Sequence, residues 1–278
     1  MIAGAGGPGG PGRVVVGLDA CRGGWVCVRL VDGRVDEVEV VEEAGEALAD
    51  DVVIAGIDIP IGLVDTPGRD ADRAARDLLR GRASSVFSAP PRAVVAAYVA
   101  GTLAEHAEAT ALARATTGKG ISQQAWRLTP KIAEVDALAA AGHPVREAHP
   151  EVAFALVAGE PLPRKVTWAG IETRRAVLRP LGLELPDRFP GDDRAAPDDV
   201  LDAAVVAWVA DGIATGEGAL TIPDTTDQRD HGRPIQIHAR IPPSAPSPGR
   251  QAGSLAAPPP TPQAGAGAAP PPEPPAAG

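Results

Sequence analysis

The stretch Arg13-Val-Val-Val-Gly-Leu-Asp-Ala-Cys-Arg-Gly-Gly-Trp-Val-Cys-Val-Arg29 decides the fold. Val14 to Leu18 is apolar nearly throughout, the pattern of a strand buried on both faces. Asp19 stands at its C-terminal end. Cys21-Arg22-Gly23-Gly24 offers the positive φ that a hairpin needs, and Trp25 to Val28 returns as a second strand. A carboxylate where a buried strand meets a reversal has two readings. It is a metal ligand or general base, or it is a turn-starting Asp that bonds its own backbone.

Working outward, Asp32-Gly33 marks another turn. Arg34 to Val41 alternates apolar and charged residues, which predicts a half-exposed third strand. A short helix is expected over about Glu42 to Ala49. Val52-Val-Ile-Ala-Gly-Ile-Asp58 is then a second continuous apolar run that ends in an aspartate. The order β-β-β-α-β places this fourth strand parallel to the first and beside it. Two buried strands thus end at one edge of one sheet, each with an acid. In open α/β sheets that C-terminal edge is where ligands bind.

Between Asp58 and the next strand the pattern is helical. Arg69 to Arg80 reads as a helix. Gly81 to Arg92 reads as a loop in which Arg82, Ser84, Ser85 and Arg92 suit an anionic group, or an ordinary ordered loop. Ala93 to Thr117 is Ala-rich helix broken near Gly101, Gly118 to Trp126 a polar loop, and Thr129 to Ala141 a helix with Thr129 as N-cap and Pro130 at its first position. Residues 69–142 are therefore a helical insertion, expected to cap the sheet edge.

Pro144 to Ala148 is a short strand that brings Glu147 toward the same edge. Pro150 opens a helix with Glu151 in its first turn, where the dipole favours a carboxylate anyway; Glu147 is the preferred site residue of the two. His149 reads as a structural histidine. Lys165 to Leu181 reads as a basic helix. The last helix begins at Pro197, where Asp198 is the candidate cap. Asp199 and Asp202 share one face. Asp202 lies beyond the first turn among apolar residues, where an acid is costly unless paired or metal-bound. Leu220 to Ile222 and Arg233 to His238 predict small strands. His231 and His238 show no partner at metal-ligand spacing.

The composition sets bounds. The chain has 278 residues and a formal net charge of −10, which argues against indiscriminate nucleic-acid binding but not against a local basic groove. Residues 1–12 and 242–278 are Gly, Ala and Pro-rich and are expected to be disordered tails around a folded body of 13–241. No signal peptide is read at the start, and no apolar run approaches the roughly 20 residues that span a bilayer. Cys21 and Cys27 lack a metal-binding spacing and read as reduced thiols of a cytoplasmic protein, with Cys27 in the core.

Strand-Asp, strand-Asp, later Glu, then a helix with Asp-x-x-Asp resembles the RNase H-like fold, an α/β fold in which a mixed sheet has three antiparallel strands followed by parallel ones, flanked by helices. On that resemblance Asp19 matches the first-strand acid and Asp58 the fourth-strand acid. Asp199 and Asp202 resemble the last-helix pair of Holliday-junction resolvases of this fold. A closer resemblance rests on Gly17-Leu-Asp-Ala-Cys-Arg-Gly-Gly-Trp25, Asp58-Ile-Pro-Ile-Gly62, Arg82-Ala-Ser-Ser-Val-Phe87, Gln124-Ala-Trp-Arg-Leu128, Pro130-Lys-Ile-Ala-Glu-Val-Asp136, His149-Pro-Glu151 and Asp198-Asp-Val-Leu-Asp202. These segments are similar to domain-of-unknown-function family 429, described as predicted nucleases of the RNase H fold.

The resemblance implies metal-dependent hydrolysis of phosphodiester bonds. Asp19, Asp58, Glu147, Asp199 and Asp202 would be the catalytic acids, and Asp19, Asp58, Asp199 and Asp202 would hold Mg²⁺ or Mn²⁺. Arg22, Arg82, Ser84, Ser85, Arg92, Lys131 and Lys165 are the candidate phosphate contacts. The expected partner is nucleic acid or another phosphodiester, with no membrane. Two other functions are expected to compete. One is a nucleotide-binding phosphotransferase of actin or hexokinase type using Arg22-Gly23-Gly24, and the other a scaffold whose Pro-rich tail recruits partners.

Overall fold

The computed structural model describes residues 12–188 and 194–243, which fall in one unit. Both expected tails lie almost wholly outside the described residues. The first four strands are β1 (Val14–Cys21), β2 (Gly24–Val31), β3 (Arg34–Val41) and β4 (Val52–Ile57). Gly23 takes φ +76° in the first hairpin, a conformation that costs a β-carbon-bearing residue strain. The segment after β3 is shorter than a helix over Glu42–Ala49: only Ala44–Ala47 forms one 3₁₀ turn.

Four helices then precede β5 (Val145–Glu147). They are α1 (Asp70–Leu78), α2 (Arg92–Val99), α3 (His106–Thr117) and α4 (Gln123–Ala140). The chain continues through α5 (Pro150–Ala158), α6 (Trp168–Leu178) and α7 (Pro197–Thr215). It ends in the short strands β6 (Ala219–Ile222), β7 (Arg229–Asp230), β8 (Arg233–Pro234) and β9 (Ile237–Arg240).

The main sheet has the order β3-β2-β1-β4-β5. Its first three strands are antiparallel, and β4 and β5 run parallel to β1. This is the mixed α/β sheet expected of an RNase H-like arrangement. Both faces are covered. Alternation sends Val15 to one face, against α7, α5 and α6, and Val14, Val16 and Leu18 to the other, with Ile132 and Val135 of α4.

The central contact is between α7 and the sheet. A β-carbon on Gly17 would stand 2.1 Å from Ala203 O and 2.2 Å from Ala207 N; one on Gly56 would stand 2.8 Å from Val206. These two glycines pair in register across β1 and β4. They let the backbone of α7 lie directly on the sheet. Leu201 to Gly212 is buried on every side as a result.

Three sequence expectations need correction. The fourth helix starts at Gln123, with Ser122 Oγ accepting from Ala125 N at 3.0 Å, so Pro130 is interior and Thr129 is not the cap. Burial of Ala125, Thr129, Ile132, Val135 and Ala139 outweighs the roughly 3 kcal/mol cost of an interior proline. The sixth helix begins at Trp168, which leaves Lys165 in the preceding loop. The 69–142 insertion does not cap the sheet edge as one unit. Its α2 and α4 pack on the face opposite α7, and α1 joins α5 with β6 and β9 in a separate cluster.

Gly17→Ala is expected to lower stability by about 3 kcal/mol, because neither partner backbone atom can retreat without moving the helix. Urea denaturation followed by circular dichroism measures this.

Candidate functional site

The glycine contact also fixes where the acids lie. Asp19 follows Gly17 by two residues and Asp58 follows Gly56 by two, so the pleat turns both toward α7. Asp58 N donates to Leu18 O at 2.9 Å, which continues the β1–β4 register to its end. On α7, Asp202 lies one turn before Val206, the residue against Gly56. Three carboxylates from three segments are therefore gathered at the C-terminal edge of the sheet, more widely spaced than the 4.8 Å within which a set of metal-ligand atoms would lie. Asp19 and Asp202 are 6% and 1% exposed.

Their charges act on one another. Burial first, then the charges of Asp58 and Asp202, raise the Asp19 pKa well above the usual carboxylate range. Burial and Asp202 push Asp58 up to about 8, and burial raises Asp202 to about 6 against the opposing pull of Lys165. Lys165 Nζ lies 2.5 Å from Asp202 Oδ2 and 3.4 Å from Asp198 Oδ2. Despite its burial, Asp202 and Asp19 hold this ammonium charged. Asp19 Oδ1 accepts from Ala20 N at 2.9 Å, while Asp202 Oδ1 is buried with no hydrogen-bond partner.

The other expected acids sit differently. Asp199 Oδ2 accepts from Ala196 N at 2.9 Å and closes the first turn of α7. It, and not Asp198, belongs to the cap, and it reaches Asp19 only as a weak charge. Glu147 pairs with Ile57 across β4–β5, on the sheet face that carries Val145, opposite α7. There its Oε2 accepts from Arg69 Nη2 at 2.5 Å and Ile61 N at 2.7 Å. Glu147 therefore anchors the loop that follows Asp58, and burial holds its pKa at about 7.

Glu151, ranked second to Glu147 in the sequence, lies on the α7 side and raises both Asp58 and Asp202, while the Glu147 charge also reaches Asp58 and raises it more than Glu151 does. Its Oε1 is 2.5 Å from Nη2 of the fully buried Arg174. The signal for it was His149-Pro-Glu151, which sets a helix N-terminus at the end of β5.

The candidate phosphate contacts separate into two groups. Lys165 is within the acid cluster. Arg22 is exposed on the β1–β2 turn, and Ser84 is exposed in the 81–92 loop. Lys131 lies 4.0 Å over the Trp25 ring and donates to Gly24 O at 2.6 Å; burial lowers its pKa against the opposing charges of Glu134, Cys21 and Asp19. The remaining candidates are already bonded. Arg82 donates to Leu162 O at 2.7 Å and Ser85 Oγ to Arg82 O at 2.8 Å. Arg92 grips Asp136 at 2.6 and 2.9 Å and also pairs with Asp230. His231 corrects another expectation: its ring and the Asp136 and Asp230 carboxylates place ligand atoms within 4.8 Å of one another. The Arg92 guanidinium already bridges those carboxylates.

The family described as "Protein of unknown function (DUF429)" matches residues 17–228. The chain belongs to this family. No curated protein and no solved structure matches it. The matched span of this DUF429 protein contains all three converging acids, Lys165 and Glu151. No helix among its described residues is long and apolar enough to cross a membrane.

A carboxylate with a raised pKa binds its proton more tightly folded than unfolded. Its contribution is intact below the unfolded pKa near 4 and is lost as pH rises through the folded value. In chelator-treated protein, stability should fall from about pH 4 to about pH 8, the folded value for Asp58. Asp58→Asn should then be more stable than wild type at pH 8 by about 2 kcal/mol, with the gain gone at pH 4. Thermal melts across pH check both expectations.

Proposed function

We propose that this DUF429 protein is a metal-dependent nuclease that hydrolyses phosphodiester bonds. The observation that carries the reading is that Asp19, Asp58 and Asp202 lie close enough at one sheet edge for their charges to act on one another, with Asp202 Oδ1 buried and unpartnered. Three carboxylates and the Lys165 ammonium leave two negative charges when all are ionised, which a divalent cation balances. The donors are hard oxygens, the set that suits Mg²⁺ or Mn²⁺. The donor chemistry fits the group, while the three acids are spaced more widely than Asp136, Asp230 and His231, whose ligand atoms alone among the described residues all lie within 4.8 Å of one another. Asp19, Asp58 and Asp202 would hold it, and Asp199, bound to its own helix end, is the weaker ligand of the four expected.

Such a cation lowers the pKa of bound water and stabilises charge developing on phosphoryl oxygens. The chain supplies the rest. The 59–63 loop, pinned by Glu147 through Ile61 N, fixes the approach to Asp58. Lys165 carries a positive charge at the acid cluster, where it offsets the repulsion between the carboxylates and a phosphate. Arg22 and Lys131 extend that positive potential along the β1–β2 turn.

The test is incubation with Mg²⁺ or Mn²⁺ and single-stranded, duplex, hybrid and branched nucleic acids. Wild type should cleave at least one substrate, EDTA should abolish cleavage, and Asp19→Asn and Asp202→Asn should each reduce it by about a thousandfold. Cleavage that survives Asp19→Asn would refute the reading.

A further inference from the structure

A cavity of about 200 Å³ opens on the other side of the loop that follows Asp58. Its walls come from that loop at Ile61 and Gly62, from β5, and from the β7–β9 segment. Arg146, Arg233 and His238 line it, together with Glu147 and Asp230.

The charges on these walls do not balance one another. Arg146 Nη1 donates to Val145 O at 2.8 Å, and Arg233 Nη2 donates to Ala139 O at 2.8 Å. Among the described residues neither arginine has a carboxylate partner. The two lining carboxylates are engaged elsewhere, Glu147 with Arg69 and Ile61 N, and Asp230 with Arg92 and Leu63 N. Burial and the charge of Arg233 lower the pKa of Arg146, with no acid opposing them. His238 is pushed down to about 4 by burial and then by Arg146, while its Nδ1 lies 3.3 Å from Glu147 O.

We propose that Arg146 and Arg233 form, on the walls of this cavity, a receptor for a phosphate group. Two guanidinium forks with free donors and no counter-ion match a tetrahedral oxyanion in both charge and geometry. Two positive charges suit a phosphate dianion better than a single carboxylate. The neutral His238 ring adds a polar wall without repelling the cationic pair. The cavity is too small for a folded partner but admits one phosphate group, either the free ion or the end of a nucleotide chain. The receptor lies on the β5–β9 side, apart from the Asp19–Asp58–Asp202 cluster, and stands whether or not the chain is a nuclease.

Inorganic phosphate titrated into the full chain, at constant ionic strength against chloride, tests this by calorimetry and by the NMR signal of the His238 ring. Wild type should bind saturably, and the His238 pKa should rise as the anion offsets Arg146. Arg146→Gln and Arg233→Gln should each weaken binding by about tenfold or more, with circular dichroism unchanged. Arg233→Lys, which keeps the charge and loses the fork, should fall between. Asp19→Asn should bind phosphate as wild type does, which separates this receptor from the acid cluster.

A 5′-phosphorylated oligonucleotide identifies the source. Tighter binding than its 5′-hydroxyl counterpart, lost in Arg233→Gln, assigns the receptor to a chain end. Saturable binding of free phosphate without that difference assigns it to the ion. Phosphate that binds no better than chloride, or equally well to wild type and both Gln variants, overturns the proposal.

Discussion

The backbone of α7 lies on the backbone of β1 and β4, and the rest of the structure depends on that approach. It is possible because Gly17 and Gly56 sit side by side in parallel register with no side chains between helix and sheet. The same contact sets the axial position of α7. Val206 is seated over Gly56, so the turn before it can fall only at the ends of the two strands. Packing and chemistry are thus settled by one contact: the helix that completes the core also delivers Asp202 to Asp19 and Asp58.

The arrangement stores electrostatic tension. Carboxylates brought out of water beside one another each raise the others' pKa, and Asp58 reaches about 8. Elsewhere the protein answers buried acids with arginines: Arg174 for Glu151 and Arg69 for Glu147. At the sheet edge one lysine is shared between Asp202 and Asp198 with Asp19 nearby. Such local imbalance costs stability at the edge, and the apolar core around these groups supplies what keeps them there.

Much of this could be read from residues 13–58 alone. Continuous apolar runs ending in Asp19 and Asp58 foretold two central strands and a shared edge, and the β-β-β-α-β order foretold their parallel pairing. The spacing of Asp199 and Asp202 placed them on a late helix. What could not be read was which strand face α7 would cover. Alternation makes Glu147 a neighbour of Ile57, but only the packing shows that this face turns away from α7. Glu151 was hidden for a related reason, because a first-turn acid is explained by the helix dipole until its buried surroundings are known. Lys165 and Arg92 joined partners 37 and 138 residues away, and no local pattern encodes such pairings.

Lys165 sits on an irregular stretch between α5 and α6, outside every strand and helix. Its ammonium acts as a tethered counter-ion, present at an effective concentration that no dissolved salt can match. It pairs with Asp202 and Asp198 and is drawn on by the charge of Asp19 as well. The charge balance of the acidic edge is thereby carried by the segment that leads into Trp168, a residue 79% exposed.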